Sequence, residues 1–111
     1  MKHYRLEDLP ETTVSHAPGI KKRVFAQGQK ISCIEKMSRA VLEPGDTARP
    51  HAHEGGYEIF YCAGGEALFR INGVDIGLGG GDCLVVEPGD VHEIKLVRTR
   101  TELFYFFAAG G

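Results

Sequence analysis

The chain has 111 residues, which is enough for one domain with a modest core. Its net charge of −2 leaves no basic surplus for nucleic acid, and no apolar run approaches the ~20 residues of a membrane helix, so we expect neither partner. Glycine is unusually abundant, with 15 residues, of which eleven lie between Gly45 and Gly89. Each glycine weakens a helix by about 1 kcal/mol, so this region predicts short strands joined by tight turns.

The N-terminal residues 1–19 contain prolines and little apolar periodicity, which predicts an arm with at most one helical turn at 6–9. The short run Lys21-Lys22-Arg23 is expected to be a solvated strand start. Beyond the arm, apolar patterning predicts strands at 20–26, 31–42, 58–63, 67–71, 74–78, 83–86, 92–97 and 102–109. Strands of this length predict an all-β domain at 20–111, a jelly-roll-type barrel.

Turn signals separate these strands. The sequence Glu-Pro-Gly-Asp occurs twice, at 43–46 and again at 87–90, and Asn72-Gly73 is a strong hairpin signal. These turns would bring distant strands to the same ends of a barrel.

Compartment and assembly are predicted from two further features. The polar, acidic N-terminus does not look like a secretory signal, and Cys33, Cys62 and Cys83 form no CxxC pair, so we expect reduced thiols in the cytoplasm. The segment 103–107 is apolar on both faces. Its outer face needs a cover, and a homodimer is favoured over the N-terminal arm as that cover.

Four side chains form a candidate metal site. His51 and His53 are two residues apart, so an extended chain places both imidazoles on one face. Glu58 follows after two glycines, and His92 comes just after the second Glu-Pro-Gly-Asp turn. Each residue alone is a weak signal, but together they would hold a divalent transition metal. The remaining histidines, His3 and His16, are expected to be solvated.

The spacing of these residues resembles the two motifs of the cupin superfamily. The first motif, at 45–65, matches at Gly45, His51, His53, Glu58 and Gly65. The second motif, at 81–96, matches at Gly81, Gly89 and His92, while Glu87 and Leu96 stand where proline and asparagine are expected. These departures affect the turn and its surroundings and leave the metal-binding positions intact.

The resemblance implies a single-domain cupin β-barrel in which His51, His53, Glu58 and His92 bind the metal. Nitrogen and oxygen ligands without thiolate suit Fe, Mn, Ni, Co or Zn. Two functions follow from it. One is a metal-dependent enzyme acting on a small oxygen-rich molecule, of dioxygenase, decarboxylase, isomerase or lyase type. The other is a non-catalytic metal-containing module that binds or senses a small ligand.

Four further residues are candidates for lining the pocket. Phe60 and Cys62 share the strand parity of Glu58, although simple core packing is the alternative for both. Arg39 and Arg70 lie within predicted strands, where an inward arginine would hold an anionic substrate and an outward one would be solvated. No general acid or base is visible in the sequence.

Overall fold

The computed structural model describes residues 1–109, apart from the side chains of Gln29 and Lys30. The predicted domain end at residue 111 lies outside these residues. A 3-10 turn at Leu6–Asp8 precedes eight strands. The strands are β1 (Glu11–Val14), β2 (Ala17–Ile31), β3 (Ile34–Leu42), β4 (Ala48–His51), β5 (Gly56–Ile71), β6 (Val74–Gly79), β7 (Cys83–Val86) and β8 (His92–Ala109). The all-β prediction is confirmed. Within the described part of the chain, no helical segment has the length and apolar character that a membrane crossing needs.

All strands belong to one antiparallel sheet with the order β1-β2-β3-β8-β5-β6, in which β4 also pairs with β8 and β7 with β5. β5 and β8 are its centre, and they pair along almost their whole length, from Gly56 opposite Ala109 to Ile71 opposite His92. This sheet agrees with the β-barrel that the sequence predicts.

The structure joins strands that were predicted as separate pieces. The segments at 58–63 and 67–71 are both parts of β5, and those at 92–97 and 102–109 are both parts of β8. Register shifts between Cys62 and Ala67 let β5 bend without ending. Gly65 has a positive φ of 94°, and a side chain there would collide with the carbonyl oxygen of Arg100.

Two short strands were not predicted. β1 lies within the expected arm and pairs with β2, with Thr12 opposite Lys22. β4 contains Pro50, which weakened its strand signal, but it pairs with β8 and sets His51 opposite His92. The N-terminal segment is therefore an edge of the sheet, and β4 positions part of the site.

Three turns of the barrel share one hydrogen-bond pattern. They lie at 43–46, 79–82 and 87–90, and in each the fourth residue is an aspartate whose amide donates to the first residue's carbonyl oxygen at 3.0 Å. The aspartate carboxylate in turn accepts from the amide of the first residue, at 2.7 to 2.9 Å. The turns predicted from Glu-Pro-Gly-Asp are confirmed.

The sheet has an apolar face on each side. The inner face holds the core, with Leu42, Cys62, Phe69 and Leu103 fully buried. On the outer face, facing pairs form two rows across β3, β8, β5 and β7. The rows are Met37–Phe106–Ile59–Val85 and Arg39–Phe104–Tyr61–Cys83. Tyr61 and Val85 are 45% and 51% exposed, so this part of the outer face is uncovered in the single chain.

Candidate metal centre

A cavity of about 570 Å³ enters the barrel, and the four predicted ligands lie on its wall. His51 ends β4, His53 follows it, Glu58 is near the start of β5, and His92 begins β8. One ligand atom from each residue lies within 4.8 Å of the others. The structure therefore brings together the four side chains selected from the sequence.

Strand register explains this convergence. His51 faces His92 across the β4–β8 pair, and their ring centroids are 4.0 Å apart. His53 follows His51 by two residues in the chain. Its ring centroid lies 5.2 Å from that of His51 and 5.5 Å from that of His92. Glu58 completes the cluster, since its Oε1 lies 3.0 Å from Nε2 of His92 and 3.5 Å from Nε2 of His53.

Backbone carbonyls orient two of the imidazoles. Nδ1 of His51 lies 2.9 Å from the carbonyl oxygen of Arg49, and Nδ1 of His92 lies 3.3 Å from that of Asp90. A carbonyl oxygen only accepts, so each Nδ1 carries the hydrogen and each neutral ring keeps its lone pair on Nε2. Such outer hydrogen bonds are typical of metal-binding histidines.

The unsatisfied atoms of the cluster fit a cation. Nε2 of His53 is buried and has no hydrogen-bond partner in the part of the chain that the structure describes. Nε2 of His92 points at the carboxylate of Glu58 although its Nδ1 already donates to Asp90, so a neutral ring lacks the second hydrogen for this contact. A metal ion among the Nε2 atoms and Oε1 would satisfy both groups.

The pKa shifts of Glu58 and His51 favour the charge states that metal binding requires. Burial alone would raise the pKa of Glu58, but the hydrogen bond from His92 and the charges of the three imidazoles outweigh it and leave that pKa lowered. Burial also lowers the pKa of His51, against the opposing effect of the Arg49 carbonyl. These two shifts favour an ionised Glu58 carboxylate and a neutral His51 ring.

His16 does not lie in solvent, contrary to the prediction. It is half-buried, it lines the same cavity, and its ring centroid is 4.1 Å from that of His51. The tight turn between β1 and β2 carries it there. Because the arm was expected to have little structure, no sequence signal placed His16 beside the site.

The two inward candidates of β5 have different surroundings. Phe60 lines the cavity, with its ring centroid 5.3 Å from Phe69 and 5.5 Å from Tyr105. Cys62 lies on the same side of the strand but is fully buried in the core, where its thiol donates to the carbonyl oxygen of Gly64 at 3.4 Å. Burial raises the pKa of this thiol, so Cys62 is a packing residue.

The two candidate arginines are engaged elsewhere and are not among the residues that line the cavity. Arg39 belongs to the outer face and forms an ion pair with Glu102 at 2.7 Å. Arg70 pairs with Asp75 across the β5–β6 hairpin at 2.6 Å. Strand alternation is the reason in both cases, since the buried neighbours Ser38 and Phe69 take the inward positions.

Sequence reasoning missed seven further polar residues that line the cavity, namely Ser15, Lys22, Gln27, Glu35, Lys36, Glu93 and Tyr105. Lys22 was expected to be solvated but is only 9% exposed. The alternation Ile20-x-Lys22-x-Val24 was the available signal, because it places Lys22 on the apolar side of the strand. Burial, with a contribution from the charge of Glu58, raises the pKa of Tyr105 to about 12 and keeps its hydroxyl protonated.

The fold is that of a cupin barrel and the four donors are compatible with a divalent metal, and comparison with known proteins agrees on the family. Residues 38–106 match the family described as Cupin domain, so the chain belongs to that family. An oxalate-binding protein from Thermotoga maritima is 38% identical over 58 residues. These residues are 52% of this chain and 48% of the relative, so the match spans about half of that protein.

Solved structures share the whole fold. A predicted oxalate decarboxylase from Thermotoga maritima superposes with a TM-score of 0.87 at 23% identity, covering 98% of this chain and 100% of the other. KdgF from Halomonas sp. gives 0.82 at 18% identity, over 99% and 96% of the two chains. An RmlC-like cupin from Shewanella frigidimarina gives 0.79 at 20% identity, over 99% and 93%. At these identities the likeness establishes the fold.

Proposed function

We propose that this protein is a metal-dependent cupin enzyme that acts on a small oxygen-rich organic molecule. The observation that carries the proposal is the cluster of four donors within 4.8 Å, with the buried Nε2 of His53 left without a partner, on the wall of a 570 Å³ cavity. A cavity of this size accommodates a small metabolite. The donor set suits Fe, Mn, Ni, Co or Zn.

His51, His53, Glu58 and His92 would hold the metal, which would supply Lewis-acid polarisation of a bound oxygen atom. The surrounding residues contribute binding and proton control. Phe60 and Phe107 give the cavity apolar walls that limit access of water. Tyr105 presents a hydroxyl that stays protonated near neutral pH and can donate a hydrogen bond to a ligand oxygen. This hydroxyl is the group that favours an enzyme.

The second candidate is a non-catalytic module that binds or senses a small ligand at the same metal. The observation in its favour is the relative described as an oxalate-binding protein. Oxalate, with two adjacent carboxylates, is the first compound to test in either case. The two candidates differ in whether the ligand is converted.

Metal content tests the site. Purified protein should carry about one divalent metal per chain, as measured by elemental analysis. The double variant His51→Ala/His53→Ala should lose it, because two of the four donors are gone. The matched control is His3→Ala, since His3 is exposed and lies outside the cluster. Full occupancy in the double variant would refute the assignment.

Turnover tests the reaction. Protein reconstituted separately with Fe(II), Mn(II), Ni(II) and Zn(II) would be assayed for oxygen consumption and product formation on oxalate, other organic acids, enediols and sugars. Metal-dependent turnover that the His51→Ala/His53→Ala variant lacks supports the enzyme. Tight metal-dependent binding of a compound that is never converted supports the binding module.

We also propose that the protein is a homodimer that buries the outer apolar rows. Tyr61 is an exposed side chain beside the half-buried Phe104, and Val85 is an exposed side chain at the end of its row, beside the half-buried Ile59. The double variant Tyr61→Lys/Val85→Lys should be monomeric by light scattering while keeping its metal. Val74→Lys is the control, because Val74 is 62% exposed on β6 and lies outside both rows. A wild-type protein that is monomeric at high concentration would refute the dimer.

A further inference from the structure

A buried lysine on the cavity wall is not one of the four candidate metal ligands. Lys22 faces inward from β2 and is 9% exposed. Lysine is almost never buried unless it is paired, because removing an ammonium group from water is costly. Within residues 1–109, with the side chains of Gln29 and Lys30 left aside, no carboxylate forms an ion pair with Lys22.

The charged neighbour of Lys22 makes its position less favourable still. Lys36, inward-facing on β3, lines the same cavity and lies beside it. Burial, together with this second ammonium group, lowers the pKa of Lys22 to about 8. Glu35 and Glu93 also line the cavity, but within residues 1–109 neither forms an ion pair with either lysine. The two like charges therefore repel each other without a counter-ion, and a bound anion would offset both this repulsion and the burial of Lys22.

The lysine pair and the metal cluster belong to one cavity. His16 connects them, since its ring is against that of His51 and Lys22 lies close enough for its charge to act on that ring. Strand register places Phe107 between Lys36 and Glu58, so a ligand that spans the two charged groups would lie against an apolar side chain. Arg39 and Arg70 do not contribute, because both are paired with carboxylates outside the cavity.

We propose that Lys22 and Lys36 form an anion-binding subsite, so that the ligand of the cavity carries an anionic group for the lysines in addition to its metal-binding oxygens. This inference rests on the proposed function only in assuming that the other end of the ligand binds the metal. The expected ligand is a small organic acid whose second charged group is a carboxylate or a phosphoryl group. Ammonium groups bind both through charge-assisted hydrogen bonds.

The test compares two four-carbon probes that differ in one carboxylate. Succinate has two and butyrate has one. Calorimetric titration of the Zn(II)-loaded protein should show succinate binding at least about tenfold tighter than butyrate, as expected for one charge-assisted hydrogen bond. In Lys22→Met this preference should disappear, while the zinc content stays unchanged. 3-Phosphonopropionate, with a phosphonate in place of one carboxylate, distinguishes the two anion types.

The control is Lys21→Met, in which a neighbouring lysine on the exposed side of β2 loses the same charge. It should keep the preference for succinate. Lys22→Met should also raise the Tm of the ligand-free protein, because methionine fills the same space without a buried charge. Lys36→Met is a second variant, at a half-buried position, and it should also reduce the preference for succinate over butyrate.

The metal-free protein separates this proposal from the proposed function. Without metal only the lysines hold a carboxylate, so the subsite predicts that butyrate and succinate both bind the metal-free protein and that Lys22→Met, unlike Lys21→Met, weakens the binding of both. A zinc-loaded wild-type protein with no preference between the probes, or a zinc-loaded Lys22→Met variant that keeps the preference, would overturn the subsite while leaving the metal site intact.

Discussion

The turns at Glu43–Asp46 and Glu87–Asp90 have the same sequence and the same internal hydrogen bonds. Only the second of them contacts residues of the candidate metal site. In both, the aspartate carboxylate accepts from the amide of the glutamate, at 2.8 and 2.9 Å. Both have glycine at the third position, with φ of 97° and 86°. Four residues of sequence are therefore sufficient to specify the conformation of this turn.

What differs is the connection to the site. The Gly89 amide donates to the carbonyl oxygen of His53 at 2.8 Å, and the carbonyl oxygen of Asp90 accepts from Nδ1 of His92. The Asp90 carboxylate also accepts from the side chain of Asn72 at 2.9 Å. The first turn instead has an exposed ion pair between Glu43 and Arg100. The same local structure is a plain corner in one place and a support for two metal-site histidines in the other.

The largest expected effect comes from removing the aspartate of each turn. Asp90→Ala should weaken metal binding by about tenfold, because the carbonyl oxygen that orients His92 is then no longer held in place. Asp46→Ala should leave metal affinity unchanged. Asp46→Ala should lose about 1 kcal/mol of stability from its one missing hydrogen bond, and Asp90→Ala about 2 kcal/mol, because its carboxylate also accepts from Asn72. Competition with a metal chelator and chemical denaturation measure the two quantities.

Asp46→Ala is the matched control in that pair, since it removes the same hydrogen bond at the same position of the same turn. Equal losses of metal affinity in the two variants would show that the turn acts through general stability. Unchanged affinity in both would show that Asp90 does not support His92.

A smaller effect is expected from the glycines. Gly89→Ala and Gly45→Ala should each destabilise the protein by about 1 kcal/mol, because alanine is strained at positive φ. Space is not limiting at either site, since a Cβ at residue 89 would come no closer than 3.8 Å to Glu54 and one at residue 45 would meet nothing within 4 Å. Urea denaturation of the two metal-free variants should give equal losses. A much larger loss for Gly89→Ala would mean that its bond to His53 is distorted.

Features that depend on neighbouring residues can be predicted from this sequence, whereas features that depend on distant segments cannot. The turns and the convergence of His51 with His53 depend on neighbouring residues, and alternation or turn chemistry specifies them. The outward direction of Arg39 depends on which face of β3 packs on the core. Mixed sequences on both faces leave that choice to tertiary packing.

The contact of His16 with His51 shows the same limit. This contact depends on the pairing of β1 with β2, and the run of β-branched residues in 11–14 was too short to predict that pairing. The bend in β5 likewise depends on the approach of Gly65 to the backbone of β8. Both features come from pairings between distant segments, and no short motif encodes them.

The smallest effect concerns the link between the second turn and the neighbouring hairpin. Asn72 has a positive φ of 50°, its side-chain amide donates to Asp90, and its side-chain oxygen accepts from the amide of Val91 at 2.9 Å. Asn72→Gly keeps the backbone conformation accessible while removing both hydrogen bonds. Metal affinity should fall by about threefold, less than in Asp90→Ala, because the turn keeps its internal bonds.

The control for this link is Asp75→Ala, which removes the exposed ion pair with Arg70 in the same hairpin and has no contact with the turn. It should leave metal affinity unchanged in the chelator competition. If Asn72→Gly matched Asp75→Ala, the hairpin would be irrelevant to the site and the turn at 87–90 would hold His92 by itself. If it matched Asp90→Ala, the side chain of Asn72 would be the main restraint on that turn, and the difference between the two Glu-Pro-Gly-Asp turns would originate in the hairpin packed against one of them.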